Sequence, residues 1–560
     1  MAVDPSRVLN CNVGILGHVD SGKTSLARAL STHFSTASLD KAPQSAARGI
    51  TLDLGFSSFQ GPVPGHVPAG VYDTVQYTLV DCPGHASLIR TVLGGAQIID
   101  VMMLVVDITK GIQTQTAECL VVGELTTENL IVVLNKVDML PADSREKAMA
   151  KMVKRLENTF RATRFPNVKM VPVSARPGGG LGMEGEATDA VGMTELVAEI
   201  ERHVPSQPRP TDAPLLYAVD HCFPIKGQGT VLTGTVLQGS VEIGQTLEFP
   251  ILKQQRKVKS MQMFRKPVQK AKAGDRLGIC VTQFDATLME RGLVAEPSTV
   301  PTFTSCIAQV EKIRFHKGDI TSKTKFHLTI GHQTVMATAR FCALPPEEDA
   351  KADPALARLP LDPAAVADFD FSRDYAHRDE LLELPQPSSS EAPAAEDSPA
   401  KARGPQYALL VLESPVTCPL KSLLIGSKLD ADIHVNACRL AFHGRLLHGM
   451  DAEDPAELAK LRVYKVKHRE GTVERVEKDG RTAVGRGMFK KETDMSKFAG
   501  MQVVSANGEK GTVQGSFGKS GKFKMLFPDG IAAAPEGSGG IKVTLNFKKY
   551  LYDTEKKMIQ

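Results

Sequence analysis

Gly17-His18-Val19-Asp20-Ser21-Gly22-Lys23-Thr24 lies between an apolar run, Val13-Gly14-Ile15-Leu16, and an Ala/Leu-rich segment from Ser25 to Leu30. This is G-x-x-x-x-G-K-T in the strand–loop–helix setting that a phosphate loop requires. Glycines let backbone N–H groups wrap phosphate oxygens. The Lys23 ammonium reaches the terminal phosphates, and the Thr24 hydroxyl is placed to ligate Mg²⁺. The loop residues His18, Asp20, Ser21, Gly22, Lys23, Thr24 and Ser25 are therefore the first nucleotide-binding candidates.

Two later stretches turn a phosphate site into a nucleotide switch. Asp81-Cys82-Pro83-Gly84-His85 ends the apolar run Tyr77-Thr78-Leu79-Val80. A carboxylate at a strand tip suits the Mg²⁺ shell, so Asp81 joins Thr24 as a metal candidate, and the Gly84 N–H is placed to sense a γ-phosphate. Asn135-Lys136-Val137-Asp138 follows the buried run Leu130-Ile131-Val132-Val133-Leu134. A carboxylate at Asp138 accepts both N–H groups on the guanine edge, which adenine cannot supply, so the ligand is GTP or GDP. Ser174-Ala175-Arg176, after Val171-Pro172-Val173, completes the base site, with a backbone amide towards the guanine carbonyl.

Arg48-Gly49-Ile50-Thr51 falls between the phosphate loop and Asp81. A threonine here closes over Mg²⁺ and the γ-phosphate while GTP is bound, which makes Thr51 the third metal candidate. His85 stands where the residue that orients the attacking water is expected, and it is the catalytic candidate. A histidine directly after Asp-Cys-Pro-Gly resembles the translational GTPases, whereas small Ras-like switches carry glutamine.

The chain has 560 residues, too many for one core, with 42% apolar and 23% charged residues. No apolar run of about 18 residues suggests a membrane span, and the N-terminus does not read as a secretion signal. Nine cysteines without a C-x-x-C pair suggest a reducing cytosol and no zinc framework. The expected setting is the cytoplasm, with nuclear shuttling left open. The net charge of +4 is unevenly spread. Residues 461–560 hold about 20 Lys/Arg against about 11 Asp/Glu, which predicts a partner rich in phosphate.

Residues 1–205 alternate apolar strands and amphipathic helices, one of them Ser144 to Thr159, and predict a mostly parallel sheet covered on both faces. From Leu215 the pattern becomes short β-branched runs punctuated by glycine, as in Lys226-Gly227-Gln228-Gly229-Thr230-Val231-Leu232-Thr233-Gly234-Thr235. That is a barrel pattern. The expected layout is multidomain: an α/β P-loop GTP-binding domain (1–205), a β-barrel carrying an aminoacyl pocket (212–300) and a second β-barrel (301–445). A linker (446–460) then leads to a fourth, basic small β domain (461–560). Residues 345–404, rich in proline and acidic stretches, read as a disordered insertion in the second barrel.

A GTPase domain followed by two barrels resembles elongation factor Tu and its relatives, and residues 226–235 are similar to that family's opening of the first barrel. The likeness implies an aminoacyl pocket in that barrel. Asp220-His221-Cys222-Phe223 stands at the pocket strand, and Ala273-Gly274-Asp275-Arg276-Leu277-Gly278 matches a stretch in which general elongation factors carry asparagine at the position of Arg276. An arginine and a histidine there predict an electropositive pocket for an anionic side chain. Selenocysteine fits, because its selenol is largely ionised near neutral pH while a cysteine thiol, with a pKa of roughly 8.5, is not. The whole layout resembles the eukaryotic selenocysteine-specific elongation factors, most closely through Asp81 to Lys110, Val219 to Gln283 and Leu429 to His434.

This resemblance implies ribosome-stimulated hydrolysis of GTP, with Mg²⁺ as cofactor, and selenocysteine-binding roles for Asp220, His221 and Arg276. Selenocysteinyl-tRNA, the ribosome, and the mRNA recoding element with its binding protein are the implied partners of a monomer. Two other readings stay open. An initiation factor 2 gamma-like carrier would need an apolar methionine pocket, which Arg276 opposes. A termination or quality-control GTPase would hold no amino acid there. Lysines interleaved with Phe517, Phe523 and Phe547 suggest an RNA- or ribosome-facing surface on the fourth domain.

Overall fold

A computed structural model describes residues 7–31, 33–34, 54–84, 98–161, 163–176, 189–206, 209, 211–263, 266–331, 333–385, 402–430, 438–518, 521–532, 540–553 and 558–560. Thr51 and His85 lie outside the described residues, as does the stretch 386–401 of the insertion. The chain divides into two units, one of residues 1–339, 359–367 and 410–449, the other of residues 340–358, 368–409 and 450–560.

The first unit opens with β1 (Val8–Gly17), α1 (Lys23–Leu30), β2 (His33–Phe34), β3 (Gly55–Gly61), β4 (Thr74–Asp81) and β5 (Val101–Asp107). It continues with α2 (Thr114–Thr126), β6 (Asn129–Asn135), α3 (Arg145–Phe160), β7 (Lys169–Pro172) and α4 (Met193–Arg202). The sheet order is β2-β3-β4-β1-β5-β6-β7. Pairing is parallel from β4 through β7 and antiparallel where β3 and β2 extend the edge.

Alternation along β5 shows why both faces are covered. Val101, Met103 and Val105 join Leu26, Leu30, Leu196 and Ile200 on one side of the sheet. Met102, Leu104 and Val106 join Leu120, Leu156 and Phe160 on the other. A strand buried on both faces reads as a continuous apolar run, which is how the mostly parallel sheet was legible.

Two barrels follow in the same unit. The first comprises β8 (Leu216–Ile225), β9 (Gly229–Gln238), β10 (Ser240–Glu242), β11 (Thr246–Phe249), β12 (Gln254–Met263), β13 (Lys266–Val268), β14 (Lys270–Lys272), β15 (Arg276–Val281) and β16 (Gly292–Ala295). The order β11-β16-β8-β9-β15-β12 is closed by β11 pairing with β12. The second has β17 (Thr302–Lys312), β18 (Lys325–Ile330), β19 (Gln333–Ala343), β21 (Gln406–Thr417), β22 (Leu423–Ser427) and β23 (Leu440–Met450), with β20 (Tyr375–Arg378) inserted in sequence. It closes through β18 and β19, and closure leaves no free sheet edge.

The second unit corrects the expectation of a structureless segment over 345–404. Its described residues, 345–385 and 402–404, include α5 (Pro346–Asp349), α6 (Pro354–Ala357) and β20. Strand β20 pairs antiparallel with the end of β19 and parallel with β24 (Val463–Val476). Phe369 stacks on Tyr375 at 4.7 Å, and Tyr407 meets both rings. Proline-rich and acidic composition hid a few well-spaced aromatics that are enough to order the segment. Residues 345–358 and 368–404 group with the C-terminal residues, and residues 359–367 with the first unit.

After α7 (Pro455–Ala459) and β24 come β25 (Thr482–Arg486), β26 (Gln502–Ser505), β27 (Lys510–Phe517), β28 (Lys522–Leu526), β29 (Lys542–Tyr550) and β30 (Met558–Ile559). Strands β24-β25-β28-β27-β26-β29 close on themselves through β24 and β29. Phe523 and Phe547 belong to the core of this barrel. They are therefore not part of a stacking surface, because alternation along β28 and β29 turns them inward. Phe517 is exposed, with the Arg475 guanidinium 5.4 Å from its ring.

Candidate functional site

The phosphate loop links β1 to α1. Gly22 caps α1 with φ of 91°, and a Cβ there would stand 2.2 Å from the Asn135 Nδ2. Only glycine permits both the left-handed conformation and that approach. Lys23 is buried and donates to the His18 carbonyl at 2.6 Å. Burial holds the Lys23 ammonium below its ordinary pKa, with Asp81 opposing the shift. Burial also lowers His18, assisted by Lys23 and Lys110. Asp20 adopts φ of 60° in the loop, and Ser25 lies in the first turn of α1.

Thr24 Oγ1 donates to Asp81 Oδ2 at 2.7 Å, so two of the three metal candidates meet. Gly84 completes the wall: a Cβ on it would stand 2.3 Å from Lys23 Nζ and 3.0 Å from the Val19 nitrogen. Ser21 Oγ is buried and makes no hydrogen bond among the described residues. A buried hydroxyl without a partner, facing a glycine-lined loop, fits a phosphate acceptor. Thr24 and Asp81 supply the oxygen donors that Mg²⁺ prefers.

The base site is braced by hydrogen bonds. Asn135 Nδ2 donates to the Ser21 carbonyl at 2.9 Å, while its Oδ1 accepts the N–H groups of Lys136 at 2.8 Å and Ala175 at 3.2 Å. One side chain thus ties the phosphate loop to both base-recognition stretches. The Ser174 hydroxyl donates to Asp138, and Arg176 is exposed just beyond. Lys136, with φ of 67°, donates to Asp107 Oδ2 at 2.8 Å. Burial works to raise Asp107, but hydrogen bonds from Lys136 and Thr109 hold it below the usual carboxylate range. The sequence reading missed Asp107, although it ends β5 as Asp81 ends β4.

In the first barrel, register slips between Val219 and His221 where β8 pairs with β9. Bulges re-aim side chains. Here the extra residue is Asp220, buried and paired with Arg276, the first residue of β15. Arg276 Nη1 also donates to Thr235 Oγ1 at 3.4 Å, and its Cζ lies 3.1 Å above the Phe56 ring of β3. The loop before Arg276 is held by the GTP-binding domain: Asn10 donates to Asp275 at 2.7 Å and Asn12 to the Gly274 carbonyl at 3.3 Å.

The three pocket candidates come together, with Arg276 and Asp220 paired. Asp220 matches the Arg276 charge. Burial lowers His221 from its ordinary pKa, with Asp220 opposing, so the imidazole favours its neutral form. Both hydrogen bonds of the guanidinium leave from Nη1; among the described residues its Nε and Nη2 make none.

A phosphate loop, an Asn-Lys-x-Asp stretch tied to it by hydrogen bonds and two closed barrels define a translational GTPase of the elongation factor Tu type. Family comparisons agree: "Elongation factor Tu GTP binding domain" matches residues 9–224 and "Elongation factor Tu domain 2" residues 229–292. "Selenocysteine-specific elongation factor, eukaryotes, 3rd domain" matches residues 307–444, and "eEFSec C-terminal RIFT domain" residues 459–556.

The chain belongs to the selenocysteine-specific elongation factor family. It is 46% identical to the selenocysteine-specific elongation factor of Mus musculus, covering 99% of both chains. It is 38% identical to that of Methanocaldococcus jannaschii over 59% of this chain and 66% of the other. Among solved structures, translation elongation factor SelB of Methanococcus maripaludis with the GTP analogue GppNHp superposes with a TM-score of 0.65. That match has 25% identity and covers 97% of this chain and 99% of the other. No helix among the described residues is long and apolar enough to cross a membrane.

Proposed function

We propose that this chain is a GTP-dependent translation elongation factor that binds selenocysteinyl-tRNA, delivers it to the ribosome at recoded UGA codons and hydrolyses GTP to release it. The full-length likeness to the mouse factor supports the class. The observation that carries the specificity is the buried Arg276–Asp220 pair beside His221. Its Nε/Nη2 edge offers two N–H groups to an anionic side chain while Asp220 keeps the guanidinium in place.

In this reading Lys23, Ser21 and the loop N–H groups hold the phosphates of GTP, and Asn135, Lys136, Asp138, Ser174 and Ala175 hold the base. Thr24, Asp81 and Thr51 hold Mg²⁺, which supplies charge compensation to the phosphates. His85 orients the attacking water when the ribosome stimulates hydrolysis. The basic C-terminal barrel contacts RNA, either the tRNA or the recoding element with its binding protein. The factor acts as a cytoplasmic monomer.

The decisive measurement is filter binding of the GTP-bound protein to selenocysteinyl-, seryl-, cysteinyl- and initiator methionyl-tRNA. Selenocysteinyl-tRNA should bind tightest. Equal retention of the seryl and selenocysteinyl esters would remove the side-chain reading, and a preference for the methionyl ester would favour an initiation-type carrier.

A further inference from the structure

Helix α2 touches the phosphate loop from its first turn. The carboxamide oxygen of Gln115 accepts the backbone N–H of Val19 at 3.3 Å. That N–H belongs to the spot on which Gly84 and the Lys23 ammonium also converge, as the short approaches of a Cβ at Gly84 show. The ammonium is meanwhile engaged by the His18 carbonyl. Protein oxygens thus accept from two donors at the point where the outermost phosphate of a bound nucleotide would end.

One N–H cannot serve a carboxamide oxygen and a phosphate oxygen equally well. At 3.3 Å the Gln115 bond is at the long end of the range, so it is readily given up, whereas a bond to an anionic phosphate oxygen is shorter and stronger. A diphosphate stops short of Gly84 and leaves Gln115 where it is. A triphosphate has to displace it.

We infer that Gln115 is a specificity-determining residue for the nucleotide state: it competes with the terminal phosphate for the Val19 N–H and lowers affinity for GTP relative to GDP. The displacement has somewhere to go. Glu118, three residues along the same helix, makes a bidentate ion pair with Arg439 in the second barrel, with bonds of 2.9 and 2.7 Å. The turn that reads the phosphate is therefore the turn that grips the barrel.

The inference rests on the reading of residues 17–24 as the phosphate loop. It is tested with the full chain by equilibrium binding of fluorescent GDP and fluorescent GppNHp. Gln115→Ala should tighten GppNHp binding about 3- to 10-fold, the worth of one hydrogen bond, and leave GDP unchanged. Gln115→Glu puts a carboxylate against the phosphate and should weaken GppNHp by about tenfold or more, with a much smaller effect on GDP. Opposite signs from two variants at one position cannot arise from a damaged fold. Equal shifts for both nucleotides, or weaker GppNHp binding in Gln115→Ala, would overturn the competition. Lys23→Ala should weaken both nucleotides; if it weakens neither, the loop reading fails and the inference with it.

Discussion

Arg276 of the first barrel is paired with the buried carboxylate of Asp220, and its guanidinium is stacked on Phe56 from the GTP-binding domain. Removing Arg276 alone would leave a buried carboxylate uncompensated, which mixes a stability cost with the loss of selectivity. The clean comparison is Arg276→Asn beside the double variant Arg276→Asn/Asp220→Asn. Both should lose preference for selenocysteinyl- over seryl-tRNA by about ten- to a hundredfold, the range set by one charge-assisted contact of roughly 1.5–3 kcal/mol. GTP affinity should stay near wild type. If the double variant keeps its preference, the guanidinium does not read the side chain.

The Glu118–Arg439 pair predicts how strongly the GTP-binding domain and second barrel are joined. Both side chains are buried, and the fork geometry uses Nε and Nη2 of Arg439. Arg439→Ala would orphan the Glu118 carboxylate and should cost about 3–5 kcal/mol. Glu118→Leu/Arg439→Met replaces the pair with apolar groups of similar size and should recover most of that loss. Urea titration of the three proteins would decide it. A double variant no better than Arg439→Ala would mean that the pair itself, not the orphaned charge, holds the junction.

Asp138→Asn should move base preference from guanine towards xanthine, because an amide presents a donor where the carboxylate accepted. Competition binding with GTP and XTP measures this directly. The Ser174 hydroxyl already donates to Asp138, so Ser174→Ala should loosen the carboxylate and weaken GTP without changing which base is preferred. An unchanged preference in Asp138→Asn would assign base reading to another residue.

What was legible in the sequence is the set of short motifs whose chemistry fixes their own geometry. Gly22 must be glycine because its backbone is left-handed and Asn135 crowds it; Asp81 must end a strand to meet Thr24. Contacts between segments far apart in the chain leave no such mark. Phe56 reads as one more core residue of β3, and nothing local announces that Arg276, 220 positions later, will lie on its ring. Gln115 was missed for the same reason, whereas Asp107 was missed although it ends its strand as Asp81 does.

Composition also misled over residues 345–385, and the correction changes what deletion should do. Asp374 accepts from the Tyr550 hydroxyl at 2.7 Å and from Arg462 Nε at 2.7 Å, while Ala376 packs with Tyr464 and Tyr550. Deleting residues 346–385 should therefore lower the melting temperature of the C-terminal unit, since burial of Phe369 and Tyr375 alone is worth about 1.5–3 kcal/mol each. Deleting only residues 387–400, whose Pro/Ser/Ala and acidic content cannot build a core, should leave it unchanged. Asp374 supplies a finer test. Burial works to raise its pKa, but the hydrogen bonds from Tyr550 and Arg462 win and depress it. A carboxylate depressed in the folded state adds stability above its unfolded pKa of about 3.9, and that contribution fades as pH falls through the folded value. Asp374→Asn should be less stable than wild type at neutral pH, and the gap should close as pH falls below about 4. A gap that persists in acid would show that Asp374 acts through shape rather than charge.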